Sequence, residues 1–163
     1  MTIHIVSAGP SAKRADTRGS RLVLAVNRAA LVVDHDAVVS GDVRTLRELT
    51  PTKLWTMKNQ EPIPESWRQV MRFDLLPGWT DLGKPANWSV QGAIAVAVHL
   101  KAHNIVMWGL DAYLRDPLSP EDCSGYAGQD ADRTLERWRR ERADLDISIA
   151  WAQRQGSTIV IRG

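Results

Sequence analysis

The stretch from Ser89 to Trp108 limits the possible folds more than any other part of the chain. Ala93 to Leu100 is apolar at nearly every position, with no polar face, and predicts a buried helix opening just after Ser89. Ile105 to Trp108 follows as an unbroken apolar run of strand length. That is the pattern of a central parallel strand covered on both sides. Polar residues gather where the helix begins (Asn87, Ser89, Gln91) and where the strand ends (Asp111, Tyr113). In open α/β sheets, ligands bind outside the carboxyl ends of strands and at helix N-termini. This one unit therefore offers two walls of a ligand crevice.

The rest of the chain supplies the matching elements. Ile3, Ile5 and Val6 predict a first strand, followed by Gly9-Pro10-Ser11. A glycine there lets the backbone turn tightly and approach a ligand, and free N–H groups with the Ser11 hydroxyl could cradle a phosphate. Gly-Pro-Ser is also an ordinary turn. Lys13 to Arg21 is a basic surface connection, and Leu22 to Val26 a second strand ending in Asn27-Arg28. Asn27 stands where a side chain can read a ligand, and equally where it can cap a short helix at 29–31. Asp34-His35-Asp36 has the spacing of a metal-binding Asp-X-Asp. It precedes the third strand, Ala37 to Val39, and so reads as a turn. Asp42 ends that strand, in the better position, and also suits the N-cap of a helix over 43–49.

Lys53 to Met57 predicts a fourth strand, and Trp67 to Phe73 fits a short helix or another strand equally well. Leu75 to Ala86 reads as a long loop, of the kind that often serves as a lid or binding loop. Leu114 to Gln129, with Cys123 and Tyr126, reads as an exposed loop. Asp130 to Gln155 reads as a long helix burying Leu135, Trp138, Leu145, Ile149 and Ala152, with Glu136 and Arg140 paired on its solvated face. Gly156 suits the helix end, and Thr158 to Ile161 closes the sheet. The expected fold is α/β, a single Rossmann-like domain over 1–163 with a mostly parallel central sheet flanked by helices.

The net charge of +2 is too weak to argue for nucleic acid, which is not expected as a partner. A lone Cys123 rules out an internal disulfide and a cysteine zinc cluster and fits a reducing, cytoplasmic compartment. Neither a secretory signal nor a membrane span is expected. A homo-oligomer is compatible with the sequence.

Three motifs stand in order: Gly9-Pro10-Ser11, Val26-Asn27-Arg28, and Ser89 with its alanine-rich helix leading to Gly109-Leu110-Asp111-Ala112-Tyr113. Together they resemble the bacterial sialyltransferase family typified by the Campylobacter lipooligosaccharide sialyltransferases, and the phage and bacterial proteins that share its nucleotide-binding core. The resemblance spans most of the chain and is strongest from Ser89 to Tyr113. It implies a small, phage-borne, glycosyltransferase-like protein that binds a CMP-type nucleotide sugar. Gly9, Pro10 and Ser11 would lie along the phosphate and sugar, and Asn27, Ser89, Gly109, Asp111 and Tyr113 would meet the nucleotide. Arg28 stands beside them. Transfer in that family is metal-independent and uses a histidine base. This chain has no histidine after His103, has Ala8 where the family has asparagine, and keeps only a short connection from Tyr113 to Asp130. Whether it is an enzyme is therefore open, with Asp42 and Asp111 as the candidate catalytic carboxylates. Two alternatives remain. One is a pyrophosphokinase-like enzyme using Mg²⁺ on Asp34, Asp36 and Asp42. The other is a non-catalytic nucleotide-binding or interaction protein. Outside the Mg²⁺ reading no metal or cofactor is expected.

Overall fold

The computed structural model describes residues 1–42, 45, 48–49, 53–57, 69–82, 89–114 and 135–163. The strands are β1 (Thr2–Val6), β2 (Leu22–Val26), β3 (Ala37–Val39), β4 (Lys53–Thr56), β5 (Gln69–Arg72), β6 (Asn104–Trp108) and β7 (Thr158–Ile161). They form one sheet in the order β5-β4-β3-β2-β1-β6-β7. Every neighbouring pair is parallel, with Ile3 opposite both Leu22 and Ile105. The expected Rossmann-like α/β domain is what the chain adopts.

Strand alternation sorts the apolar side chains between two layers. Ile3, Ile5, Leu24, Val26, Ile105 and Met107 face the larger core. Val6, Val23 and Ala25 face the other side, where Ala12 and Ala29 cover them and Trp108 packs alongside. The larger core is roofed by α1 (Ser89–His99) and α2 (Leu135–Arg154). Because α1 carries the chain from the β5 edge to β6, it crosses β4, β3, β2 and β1 while packing against α2. That position explains why Ser89 through Ala97 are all buried. Gln91 is fully buried between the helices, where its Nε2 donates to the Leu82 carbonyl and to Ser148 Oγ.

α2 buries Trp138, Leu145, Trp151 and Ala152 together with Glu141 and Ser148. Ile149 is partly buried against the same core. The Leu135 side chain and residues 130–134 lie outside the described residues, as do Asn87, Cys123 and Tyr126.

Several local expectations change. Gln69–Arg72 is a strand paired with β4, which settles the ambiguous segment. The expected loop from Leu75 contains ordered turns at Phe73–Leu75 and Trp79–Leu82. Phe73, Trp79 and Leu82 are buried there, with the two rings 5.1 Å apart, so apolar anchoring overrides the proline and glycine punctuation. α1 ends at His99. Lys101 turns left-handed (φ 62) and Ala102 N–H donates back to the Ala97 carbonyl. Within the expected helix over 43–49, Thr45, Glu48 and Leu49 are helical, and the other residues lie outside the description. Among the described residues no helix is long and apolar enough to cross a membrane.

His4 sits in the middle of β1, 7% exposed, with Nδ1 buried and without a hydrogen-bond partner. Burial pushes its imidazole below the ordinary value, against a smaller upward pull from Asp16. The unfolded chain then takes up a proton that the folded chain resists. Stability should fall as pH drops below about 6.5, towards the lowered folded value. His4→Leu should flatten that part of a urea-midpoint-versus-pH curve. A second measurement separates core from edge: Ile105→Ala should cost about 2–5 kcal/mol, and Val160→Ala, on the exposed edge strand, under about 1 kcal/mol, by urea unfolding.

Candidate functional site

The strand order reverses between β1 and β6. From β1 the chain leaves through a turn at Pro10–Arg14, whose Ala12 packs on the smaller core, while from β6 it goes on to α2 over the larger one. Where connections leave on opposite faces, a crevice opens at the carboxyl edge, the usual ligand position in such sheets.

The loops at this point are bound to each other. Parallel pairing continues past the strands, with Ser7 N–H donating to the Trp108 carbonyl (2.8 Å) and Gly9 N–H to the Gly109 carbonyl (3.0 Å). Ser11 N–H and Oγ–H both donate to Asp111 Oδ2, at 3.0 and 2.9 Å. The same Ser11 Oγ accepts from Gly109 N–H at 3.0 Å. Gly9 and Gly109 are required by contact distance. A Cβ on Gly9 would meet Asp111 Oδ2 at 2.5 Å, and one on Gly109 (φ 72) would meet the Ser7 carbonyl oxygen at 2.0 Å. Ser11 is fully buried, so its hydroxyl holds the two loops together, while Pro10 is exposed at the rim. With Oδ2 engaged twice, Oδ1 is the Asp111 oxygen left to meet a ligand.

The remaining candidates lie along the same edge. Asn27, just past β2, adopts the left-handed region (φ 53), and its Oδ1 is buried without a partner. Asn27 is the first residue of the short turn Asn27–Leu31, whose cap position falls on Val26, so the expectation that Asn27 caps a helix at 29–31 is not met. Arg28 is held by Glu48 through two parallel contacts, Nε to Oε2 and Nη2 to Oε1, both 2.9 Å. That guanidinium draws the Glu48 carboxyl below its ordinary value. Asp42 is exposed beyond β3, accepting from Thr45 Oγ1 at 3.0 Å, while its N–H donates to Ser40 Oγ. Ser89 Oγ accepts from Gly41 N–H at 3.0 Å, which fixes the start of α1 against the end of β3.

Tyr113 starts from this edge but turns inward. It is 6% exposed, its hydroxyl donates to Glu141 Oε2 at 2.9 Å, and its ring lies 5.5 Å from that of Trp138. Arg137 Nε donates to the other Glu141 oxygen. Sequence inspection missed Glu48, Thr45 and Glu141 as partners. Only the Glu141–Arg137 spacing of i and i+4 was a usable signal.

All four histidines of the chain lie away from this edge. His35 precedes β3, His99 ends α1, His103 precedes β6, and His4 is buried within β1. Asp34 and Asp36 precede β3 while Asp42 follows it, with Asp36 Oδ2 accepting from Val23 N–H. They lie at opposite ends of that strand and cannot converge on one cation. Among the described residues no cluster of three or more histidine, cysteine or carboxylate side chains suits a metal ion. No protein-family model matches the chain, and no curated protein sequence matches it.

The interlocked loops make a specific demand. Ser11→Ala removes the hydroxyl donation to Asp111 and strands the Gly109 N–H, and should cost about 1–3 kcal/mol. Gly9→Ala should cost at least as much, because its methyl group meets a carboxylate and a backbone carbonyl. Urea-unfolding midpoints of the two variants check both values.

Proposed function

We propose that the protein binds a nucleotide of the CMP-sugar class along the carboxyl edge of its sheet, as a reduced glycosyltransferase-like protein. The observation that carries this reading is the reversal of strand order between β1 and β6, with the loops of both strands pressed together at that point. The Gly9–Ser11 loop would run beside the phosphate and sugar. Asn27 would supply amide groups to the nucleotide, and Arg28 the positive charge for a phosphate. Asp111 Oδ1 and the start of α1 would close the far side. In a transfer reaction Asp42, exposed and held by Thr45, is the carboxylate best placed to take a proton from an acceptor hydroxyl. Tyr113 contributes indirectly in this reading, by fixing the Gly109–Asp111 loop to α2.

The placement of the histidines supports a second reading, nucleotide binding without transfer. The imidazole base that the resemblance implies has no counterpart at this edge among the chain's four histidines. The separation of Asp34 and Asp36 from Asp42 weighs against the Mg²⁺-dependent pyrophosphokinase alternative.

Thermal unfolding with added nucleotides tests the binding reading. CMP or a CMP-sugar should raise the melting temperature, by an amount equivalent to about 2.7 kcal/mol at a hundredfold excess over Kd. Arg28→Ala should weaken that shift. Stabilisation by ATP with Mg²⁺ alone would overturn the proposal. Release of CMP from a CMP-sugar, lost in Asp42→Ala, would establish transfer or hydrolysis, whereas binding without release selects the second reading.

A further inference from the structure

At the opposite edge of the sheet, beneath the C-terminal ends of α1 and α2, lies a cleft of about 280 Å³. Gly78, Asp81, His99, Lys101, Trp151 and Gln155 line it, with Val98 and Pro77 adding apolar wall. It shares no lining residue with the carboxyl-edge site and is independent of the function proposed above. Three features set it apart from an ordinary surface dent.

The first is a buried donor. Trp151 is 3% exposed, and its Nε1 is buried without a hydrogen-bond partner. A buried N–H that lacks an acceptor is costly, and most native structures avoid it. The indole lies directly under Gly78, which has φ 79. A Cβ there would come within 2.8 Å of Cζ2 and 3.3 Å of Nε1. The chain therefore passes over the indole with nothing but hydrogen on that α-carbon.

The second feature is Lys101. Both long helices end in the same hydrogen-bonded turn. After α1, Ala102 N–H donates to the Ala97 carbonyl and Lys101 N–H to that of Val98. After α2, Ser157 N–H donates to Ala152 and Gly156 N–H to Gln153. The left-handed position of this turn favours glycine. α2 has Gly156 there (φ 89), whereas α1 has Lys101 (φ 62). A lysine in this conformation is strained, and the same chain closes the same turn with glycine elsewhere. The exception is a residue that lines the cleft.

The third feature is charge. Asp81 and Lys101, both exposed, line the cleft together, so the lining carries one charge of each sign. His99 adds a ring, held edge-on 6.2 Å from that of Trp55. An inorganic phosphate would meet Asp81 as a like charge. A small molecule carrying both a carboxylate and an ammonium group matches a lining that holds both charges.

We propose that this cleft is a binding site for a free amino acid. Its carboxylate accepts from the Trp151 indole N–H and faces the Lys101 ammonium. Its ammonium group faces Asp81, and Val98 and Pro77 bound the side chain.

The test is an NMR titration of the ¹⁵N-labelled protein with the free amino acids, one at a time at millimolar concentration. The Trp151 indole signal is assigned by its disappearance in Trp151→Phe, or by selective labelling if that variant does not fold. At least one amino acid should move this signal saturably. Lys101→Gly should raise the melting temperature, because it relieves the left-handed turn, and should weaken the same titration at least tenfold. Asp81→Asn should weaken it while leaving the fold intact. If no amino acid shifts the Trp151 signal saturably, the proposal fails. If the titration is unchanged in Lys101→Gly, the assignment of the carboxylate end fails, and with it the site.

Discussion

The backbones of two loops far apart in sequence meet at van der Waals limits, and the architecture of the carboxyl edge depends on that contact. Gly109 approaches the Ser7 carbonyl so closely, and Gly9 the Asp111 carboxylate, that neither α-carbon can carry a side chain. The space freed is filled by hydrogen bonds: one Asp111 oxygen takes two donors from Ser11, and Ser11 Oγ in turn takes the Gly109 N–H. A buried backbone N–H needs a partner, and here it finds one in a serine placed by a different strand. The lock aligns the ends of β1 and β6 and so defines the floor of the crevice between them.

The covering of the sheet is uneven. On one face α1 and α2 form a continuous layer, and α1 is alanine-rich where it crosses four strands, which lets it lie close. On the other face, short turns at Pro10–Arg14 and Asn27–Leu31 cover Val6, Val23 and Ala25 with single residues such as Ala12 and Ala29. The two faces thus do different work. The helical face holds most of the large buried side chains, Trp138, Phe73 and Ile94 among them. Further along the thinner face, Val38 and Leu54 are buried beside Leu49. His4 lies on the same side as Val6, with its Nδ1 buried and unpartnered.

Much of this was legible from local patterns. β1, β2, β3, β6, β7 and α1 each carry their own periodicity, and a parallel sheet leaves the loops after β1, β2, β3 and β6 on one edge. All the candidate site residues accordingly begin from that edge. What was not legible is pairing. Nothing near Arg28 announces Glu48, and nothing near Tyr113 announces Glu141, because such partners are chosen by packing between elements distant in sequence. Trp79 and Leu82 stand among prolines and glycines that read as a loop, and only the core they enter shows that they are anchors. Asn27 has the right residue type for a cap, yet its backbone goes left-handed instead. The amino-edge cleft left no local trace either, since its residues come from a turn and the ends of two helices.

The position of β1 beside β6 bears on how the chain assembles. Ser11 and Asp111 are 100 residues apart, and the strands they follow are neighbours in the sheet. Strands β1 to β5 pair in sequence order, so they can zip together as they emerge, but β1 then presents an open edge. That edge is central in the finished protein, and its alternating apolar faces make it a template for any extended segment. Only the arrival of β6 closes it, after the long crossover through α1. Long-range closure of this kind slows folding. The same adjacency that creates the crevice makes its completion one of the late steps of folding.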